Sequence, residues 1–178
     1  WKCERLIKIF CKKNKINYGI LRYFNVAGAS ASGKIGQINK GDQLFKNLSI
    51  EVQKKNPTFR VYGANYKTKD GTCIRDYIHV SDISDIHYKV LLKIDKYNTS
   101  TVLNCGYGKG ISVNDVIKEF RKYANKNLKI VKFPNRKGDM VKVISDNSKL
   151  KKFLKWRPKF NNLSKIVNSC INWEKEIK

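Results

Sequence analysis

The chain has 178 residues and a formal net charge of +24, with 38 Lys and Arg against 14 Asp and Glu. That length carries one respectable core, or one complete domain plus pieces of another, and no apolar run approaches the ~18 residues that span a bilayer. The charge would suit a phosphate backbone, but lysine outnumbers arginine 31 to 7 and is spread over the whole length, which reads as a compositional bias rather than a nucleic-acid footprint.

The chain starts with Trp inside an amphipathic pattern, so a preceding segment is expected. Trp1-Lys2-Cys3-Glu4-Arg5 lacks the apolar core of a signal peptide, and a cytoplasmic chain is the expectation. Leu6, Ile7, Phe10 and Cys11 share one face of a helix over residues 1–14. After Asn14 to Asn17, the run Tyr18-Gly19-Ile20-Leu21-Arg22-Tyr23-Phe24 reads as a buried strand of a parallel sheet. Asn25-Val26-Ala27-Gly28-Ala29 reads as the turn that ends it. In open α/β sheets ligands lie beyond the carboxyl ends of strands, which makes Tyr23, Phe24 and Asn25 site candidates by position.

Leu44, Leu48 and Val52 mark a helix from Gln43 to Lys55, closed by Pro57 and followed by a strand at Phe59 to Tyr62. Gly71 to Asp82 then places Arg75 within a strand of β-formers, with Ser81 as the cap of the next helix. A guanidinium fixed on a strand can grip a phosphate or carboxylate through two N–H groups; an Arg75/Asp76 surface pair is the alternative. Ile83, Ile86, Val90 and Leu91 trace a helix from Asp82 to Ile94, and Thr101 to Cys105 is a short strand.

Gly106-Tyr107-Gly108-Lys109-Gly110 resembles a phosphate cradle, but it lacks both the P-loop ending and a ribose-binding acid about 20 positions on. It reads as a strand-to-helix turn before a helix from Val113. Strands at Lys129 to Phe133 and Val141 to Ile144, a short helix capped by Asp146-Asn147-Ser148, and an amphipathic helix from Leu163 to Glu176 complete the chain. Five cysteines without Cys-x-x-Cys spacing read as free thiols. His79 and His87 do not form a helical metal pair, and no metal is expected.

Leu-Arg-Tyr-Phe-Asn-Val-Ala-Gly-Ala at 21–29, Asp-Gly-Thr-Cys-Ile-Arg-Asp-Tyr-Ile-His-Val-Ser-Asp at 70–82, Leu-Asn-Cys-Gly-Tyr-Gly at 103–108 and Arg-Lys-Gly-Asp at 136–139 resemble, in order and spacing, UDP-glucose 4-epimerase of the extended short-chain dehydrogenase/reductase superfamily. The resemblance runs over nearly the whole chain and corresponds to that family's C-terminal portion. It implies the C-terminal part of a Rossmann-like doubly wound sheet, interleaved with a smaller α/β substrate-binding domain. Residues 1–26 and 76–123 would contribute to the nucleotide-binding domain, and 27–75 and 124–178 to the substrate-binding domain.

By the same resemblance, Arg75 and Arg136 would hold the diphosphate of a UDP-sugar, with Asn25 bonding nearby. Gln43 and Leu44 would meet the nucleotide, Tyr62 the uracil and Asp139 the ribose. Gln43 stands where the family commonly has Asn or His. Tyr23 and Phe24 would lie against NAD, and Val143 marks a position that is Tyr in some relatives, where a small residue would admit an N-acetylated hexose. The implied reaction inverts C4: hydride passes to NAD and back while a tyrosine, helped by a lysine four residues on, takes the hydroxyl proton. Neither that Tyr-x-x-x-Lys pair nor the glycine-rich NAD loop stands in these 178 residues, so the chain alone is expected to be inactive, and a homodimer is expected only of a full-length protein. The alternatives are a non-catalytic remnant of a split gene and a nucleotide-sugar dehydratase or decarboxylase of the same superfamily.

Overall fold

A computed structural model describes residues 1–39 and 41–177. The fold is mixed α/β. In chain order it runs α1 (Lys2–Lys13), β1 (Gly19–Tyr23), β2 (Asn25–Ala27), α2 (Leu44–Glu51), β3 (Thr58–Tyr62), β4 (Ile74–His79), α3 (Val80–Tyr97) and β5 (Thr101–Cys105). It continues with β6 (Gly110–Ser112), α4 (Val113–Ala124), β7 (Lys129–Phe133), β8 (Lys142–Val143), α5 (Ser148–Leu154) and α6 (Leu163–Glu176). Parallel pairing joins β1 to β5, β2 to β4, β8 to β4 and β3 to β7, while β6 runs antiparallel to β4. Among the described residues no helix is long and apolar enough to cross a membrane.

The run Tyr18 to Ala27 serves two sheets in succession. Through Tyr23 it pairs with β5, and Phe24 still donates its N–H to the Cys105 carbonyl at 3.3 Å. Beyond Phe24 the partner strand is spent, and Asn25, Val26 and Ala27 pair instead with Tyr77, Ile78 and His79 of β4. Asn25 therefore stands on a strand rather than in the turn expected from its type. Turn propensity is a weak local preference, and the ladder bonds to β4 override it.

Three other boundaries differ from the sequence reading. The N-cap of α3 is His79, whose Nδ1 accepts the Ser81 N–H at 3.1 Å; Ser81 lies inside the helix. Helix α2 stops at Glu51 because the next turn tightens to i→i−3 bonds, from Gln53 to Ile50 and from Lys54 to Glu51. A short β6 separates the Gly106–Lys109 turn from α4, where Ser112 Oγ accepts from the Asp115 N–H at 3.0 Å.

The core joins the helices to the sheets through Phe45, Leu48, Ile78, Ile86, Leu103, Phe120 and Ile166, all at most 5 % exposed. Phe45 of α2 meets both Tyr77 and Phe120 edge-on, at 4.9 and 5.7 Å between ring centroids. Helix α4 packs against α2 and α6. Helix α1 buries only Cys11; its Leu6 and Phe10 are 66 % and 61 % exposed, and the Glu4–Arg22 pair ties it to β1. All five cysteines are free, and burial pushes the Cys105 and Cys170 thiols up to about 12, far from the reactive thiolate range.

His79 is buried and stacks on Phe160 at 4.4 Å. Because Nδ1 is an acceptor, the ring proton sits on Nε2, 3.4 Å from Ser169 Oγ. Burial lowers its pKa below the ordinary value, and nearby Asp82 only partly offsets this. An unfolded histidine titrates near ~6.5; with the folded value lower, the unfolded chain binds the proton more readily between the two. The stability contribution is thus complete above ~6.5 and falls as pH drops below it. Urea melts of wild type at pH 7.5 and 5.5 should show this loss, and His79→Gln should show a smaller pH difference. An equal difference in both proteins would count against this assignment.

Candidate functional site

Strand alternation gives β4 its two roles. Arg75 and Asp76 are consecutive, so their side chains leave opposite faces of the sheet, and the Arg75/Asp76 pair considered from sequence does not form. Asp76 is fully buried. It accepts from the N–H groups of Tyr107 and Gly108, both at 2.9 Å, and from the N–H and hydroxyl of Ser145 at 3.1 and 2.5 Å. The Gly106–Gly110 turn is thereby a cradle filled by the protein's own carboxylate. A Cβ on Gly106 would come within 2.5 Å of Asp76 Oδ2, which explains the glycine.

Arg75 faces a large cleft of about 1520 Å³. It is the register partner of Ile111 on β6 and Val143 on β8, so its backbone is held from both sides. Its Nη1 donates to the Ile74 carbonyl at 3.0 Å, and Nη2 lies 3.9 Å from Asp139 Oδ1, too long for a good hydrogen bond. Most of its donors remain available to an anion.

Arg136 and Asp139 come to the same cleft on one tight turn. The Asp139 N–H donates to the Arg136 carbonyl at 3.3 Å, and Gly138, the third residue, has φ +88°. That conformation favours glycine and accounts for Arg-x-Gly-Asp as a spacing. The Arg136 guanidinium lies over the Tyr62 ring, 4.1 Å from its centroid, with Phe133 5.3 Å from the same ring. An arginine parked on an aromatic face keeps its charge while its long stem is ordered.

Of the ten candidate residues, Tyr23, Phe24, Asn25, Gln43, Leu44, Tyr62, Arg75, Arg136 and Asp139 line this one cleft. Val143 does not line it; it sits beside Arg75 in the sheet. Tyr23 donates its hydroxyl to His87 Nε2, since His87 Nδ1–H is engaged by the Ile83 carbonyl at 2.8 Å. Sequence reasoning passed over Gln37, Lys46, Trp173 and Glu174, which also line the cleft. Lys46 and Glu174 form a buried ion pair, and its only sequence signal is a charge on each of two otherwise apolar helix faces.

Among the cleft's tyrosines, Tyr77 is driven well above the ordinary phenol range by burial, so it holds its proton at neutral pH. Tyr23 and Phe24 both line the cleft, and each is an aromatic surface of the kind a nicotinamide ring packs on. For a dinucleotide's phosphates the one glycine-rich turn is already occupied by Asp76.

Residues 2–106 match the NAD dependent epimerase/dehydratase family, and the chain belongs to that family. Its relatives include 4-epimerases of UDP-sugars. The UDP-glucose 4-epimerase of Azospirillum brasilense is 37 % identical over 89 % of this chain and 46 % of its own length. The structure of the UDP-glucose 4-epimerase from Stenotrophomonas maltophila, with bound NAD and formylated UDP-arabinopyranose, superposes with a TM-score of 0.92 at 29 % identity, covering 98 % of this chain and 53 % of that one. The UDP-Glc/GlcNAc 4-epimerase of Campylobacter jejuni gives 0.80 at 39 % identity, covering 97 % and 53 %. The chain thus spans about half the length of the proteins it matches.

Proposed function

We propose that this chain is the UDP-sugar-binding, C-terminal half of an NAD-dependent UDP-glucose/UDP-galactose 4-epimerase of the cytoplasm. The observation that carries this reading is the convergence of Arg75, fixed in the middle of a sheet, and Arg136, fixed on a glycine-dependent turn, on one cleft that also contains Asn25, Gln43, Leu44, Tyr62 and Asp139. Two arginines provide the bidentate, always-charged grip that a diphosphate asks for. Asp139 would accept from the ribose, and the apolar surface at Leu44 and Tyr62 would take the uracil.

When NAD is bound, it supplies reversible hydride transfer at the sugar's C4. This chain's residues bind and orient the substrate for that chemistry. In the proposed division, residues 1–26 and 76–123 belong with the nucleotide-binding domain and 27–75 and 124–178 with the substrate-binding domain. The exposed Leu6 and Phe10 of α1 support a further half, or a second copy in a homodimer, covering this face.

Isothermal titration should show the purified chain binding UDP and UDP-glucose, with no conversion of UDP-glucose to UDP-galactose in the presence of NAD. Failure to bind UDP would overturn the substrate-binding reading, and turnover by the chain alone would refute its catalytic incompleteness.

A further inference from the structure

We infer that Gln37 is a positioning residue that locks the carboxamide of Gln43 with its NH₂ group toward the cleft, so that the ligand group bound there must be a hydrogen-bond acceptor. This inference rests on the proposed UDP-sugar site and specifies one contact within it.

The argument begins at a buried ion pair. Lys46, in the first turn of α2, and Glu174, near the end of α6, are each 5 % exposed and bonded to one another. Lys46 Nζ also donates to the Gln37 carbonyl at 2.8 Å, and Trp173 Nε1 donates to that same oxygen at 2.9 Å. Gly36 lies against the Trp173 indole so closely that a Cβ would fall 2.5 Å from the ring. The backbone at Gln37 is thus held by two donors and an aromatic face, one of the donors anchored by a buried carboxylate.

The side chain of Gln37 is then oriented by what surrounds it. It faces the Asn39 carbonyl at 3.3 Å. A carbonyl only accepts, so the end of the Gln37 amide turned toward it is NH₂. The same nitrogen lies 3.0 Å from the side-chain amide of Gln43, whose near atom must therefore be the oxygen. Gln43 is left with its own NH₂ facing the cleft it lines, and among the described residues that nitrogen has no hydrogen-bond partner. Two N–H donors in the cleft that Arg75 and Arg136 also line select an acceptor, either a phosphate oxygen or a uracil carbonyl.

The test pairs side-chain amide exchange, read by NMR on the free chain, with UDP titration. In wild type the Gln37 amide protons should exchange slowly and those of Gln43 freely; the reverse pattern overturns the inference. Gln43→Leu should weaken UDP about five- to tenfold, as for one lost hydrogen bond. Gln37→Glu presents a carboxylate to Gln43, which should turn its NH₂ inward, slow those protons and lower UDP affinity at least as much. In the Gln37→Glu/Gln43→Leu double variant the Gln37 effect should vanish. If it persists, Gln37 acts through its charge or the fold, and the positioning role is refuted. A loss from Gln43→Leu seen with UDP but not uridine assigns a phosphate oxygen, a loss seen with both assigns the base, and no loss with UDP overturns the contact. A wild-type chain that binds no UDP removes the proposed ligand and this contact with it, while the exchange pattern still judges the lock between Gln37 and Gln43.

Discussion

Asp76→Ala should destabilise the chain by about 2–6 kcal/mol, because it strands two backbone N–H groups at a cost of about 1–3 kcal/mol each. Those groups belong to Tyr107 and Ser145, while the Gly108 N–H keeps Ser145 Oγ at 3.1 Å; together they join the turn after β5 and the segment after β8 to the centre of β4. Water entering the space recovers part of the loss and favours the lower part of that range. Against the ~5–15 kcal/mol of a whole domain, the variant stands near the edge of folding. Asp76→Asn keeps the shape but points an NH₂ at some of those donors, so an intermediate loss is expected. Guanidinium unfolding monitored by tryptophan fluorescence reads both. A change below about 1 kcal/mol for the alanine variant would mean that the buried carboxylate is not the joint described here.

Arg75→Met should weaken UDP about 10- to 150-fold, the equivalent of about 1.5–3 kcal/mol for hydrogen bonds to a charged group, while leaving the unfolding midpoint near that of wild type. The two effects separate because, among the described residues, the Arg75 guanidinium is engaged only by the Ile74 carbonyl and the distant Asp139. Arg75→Lys should recover little. A lysine keeps the charge but loses the planar fork that meets two phosphate oxygens at once. Affinity for uridine, which has no phosphate, should be unchanged in both variants. Equal UDP affinity in wild type and Arg75→Met, measured by titration calorimetry, would remove Arg75 from the site.

The opposite fates of these neighbours show how a strand divides structure from function. Alternation alone sends Arg75 and Asp76 to opposite faces, and the pattern of β-formers around them announces the strand. Which face meets the cleft is not in that pattern. It follows from β6 and β8 flanking β4, with β8 only two residues long. Short strands such as β2, β6 and β8 have too few residues for a period to be read, and they exist only because a longer partner offers them unpaired backbone groups. In the same way, the Gly106–Gly110 turn has the composition of a phosphate cradle, and only the arrival of Asp76 decides that it holds no phosphate.

The amino-acid sequence by itself determined the alternation of helices and strands, through apolar periods long enough to survive any context. It also determined the family, through strings whose glycines and arginines are tied to particular backbone shapes, as Gly138 is to the Arg136–Asp139 turn. The tertiary structure decided which groups meet. The Lys46–Glu174 pair spans 128 positions, and the clasp on Gln37 depends on it. Contacts at such separations are set by how α2 and α6 pack, and local chemistry carries no record of that packing.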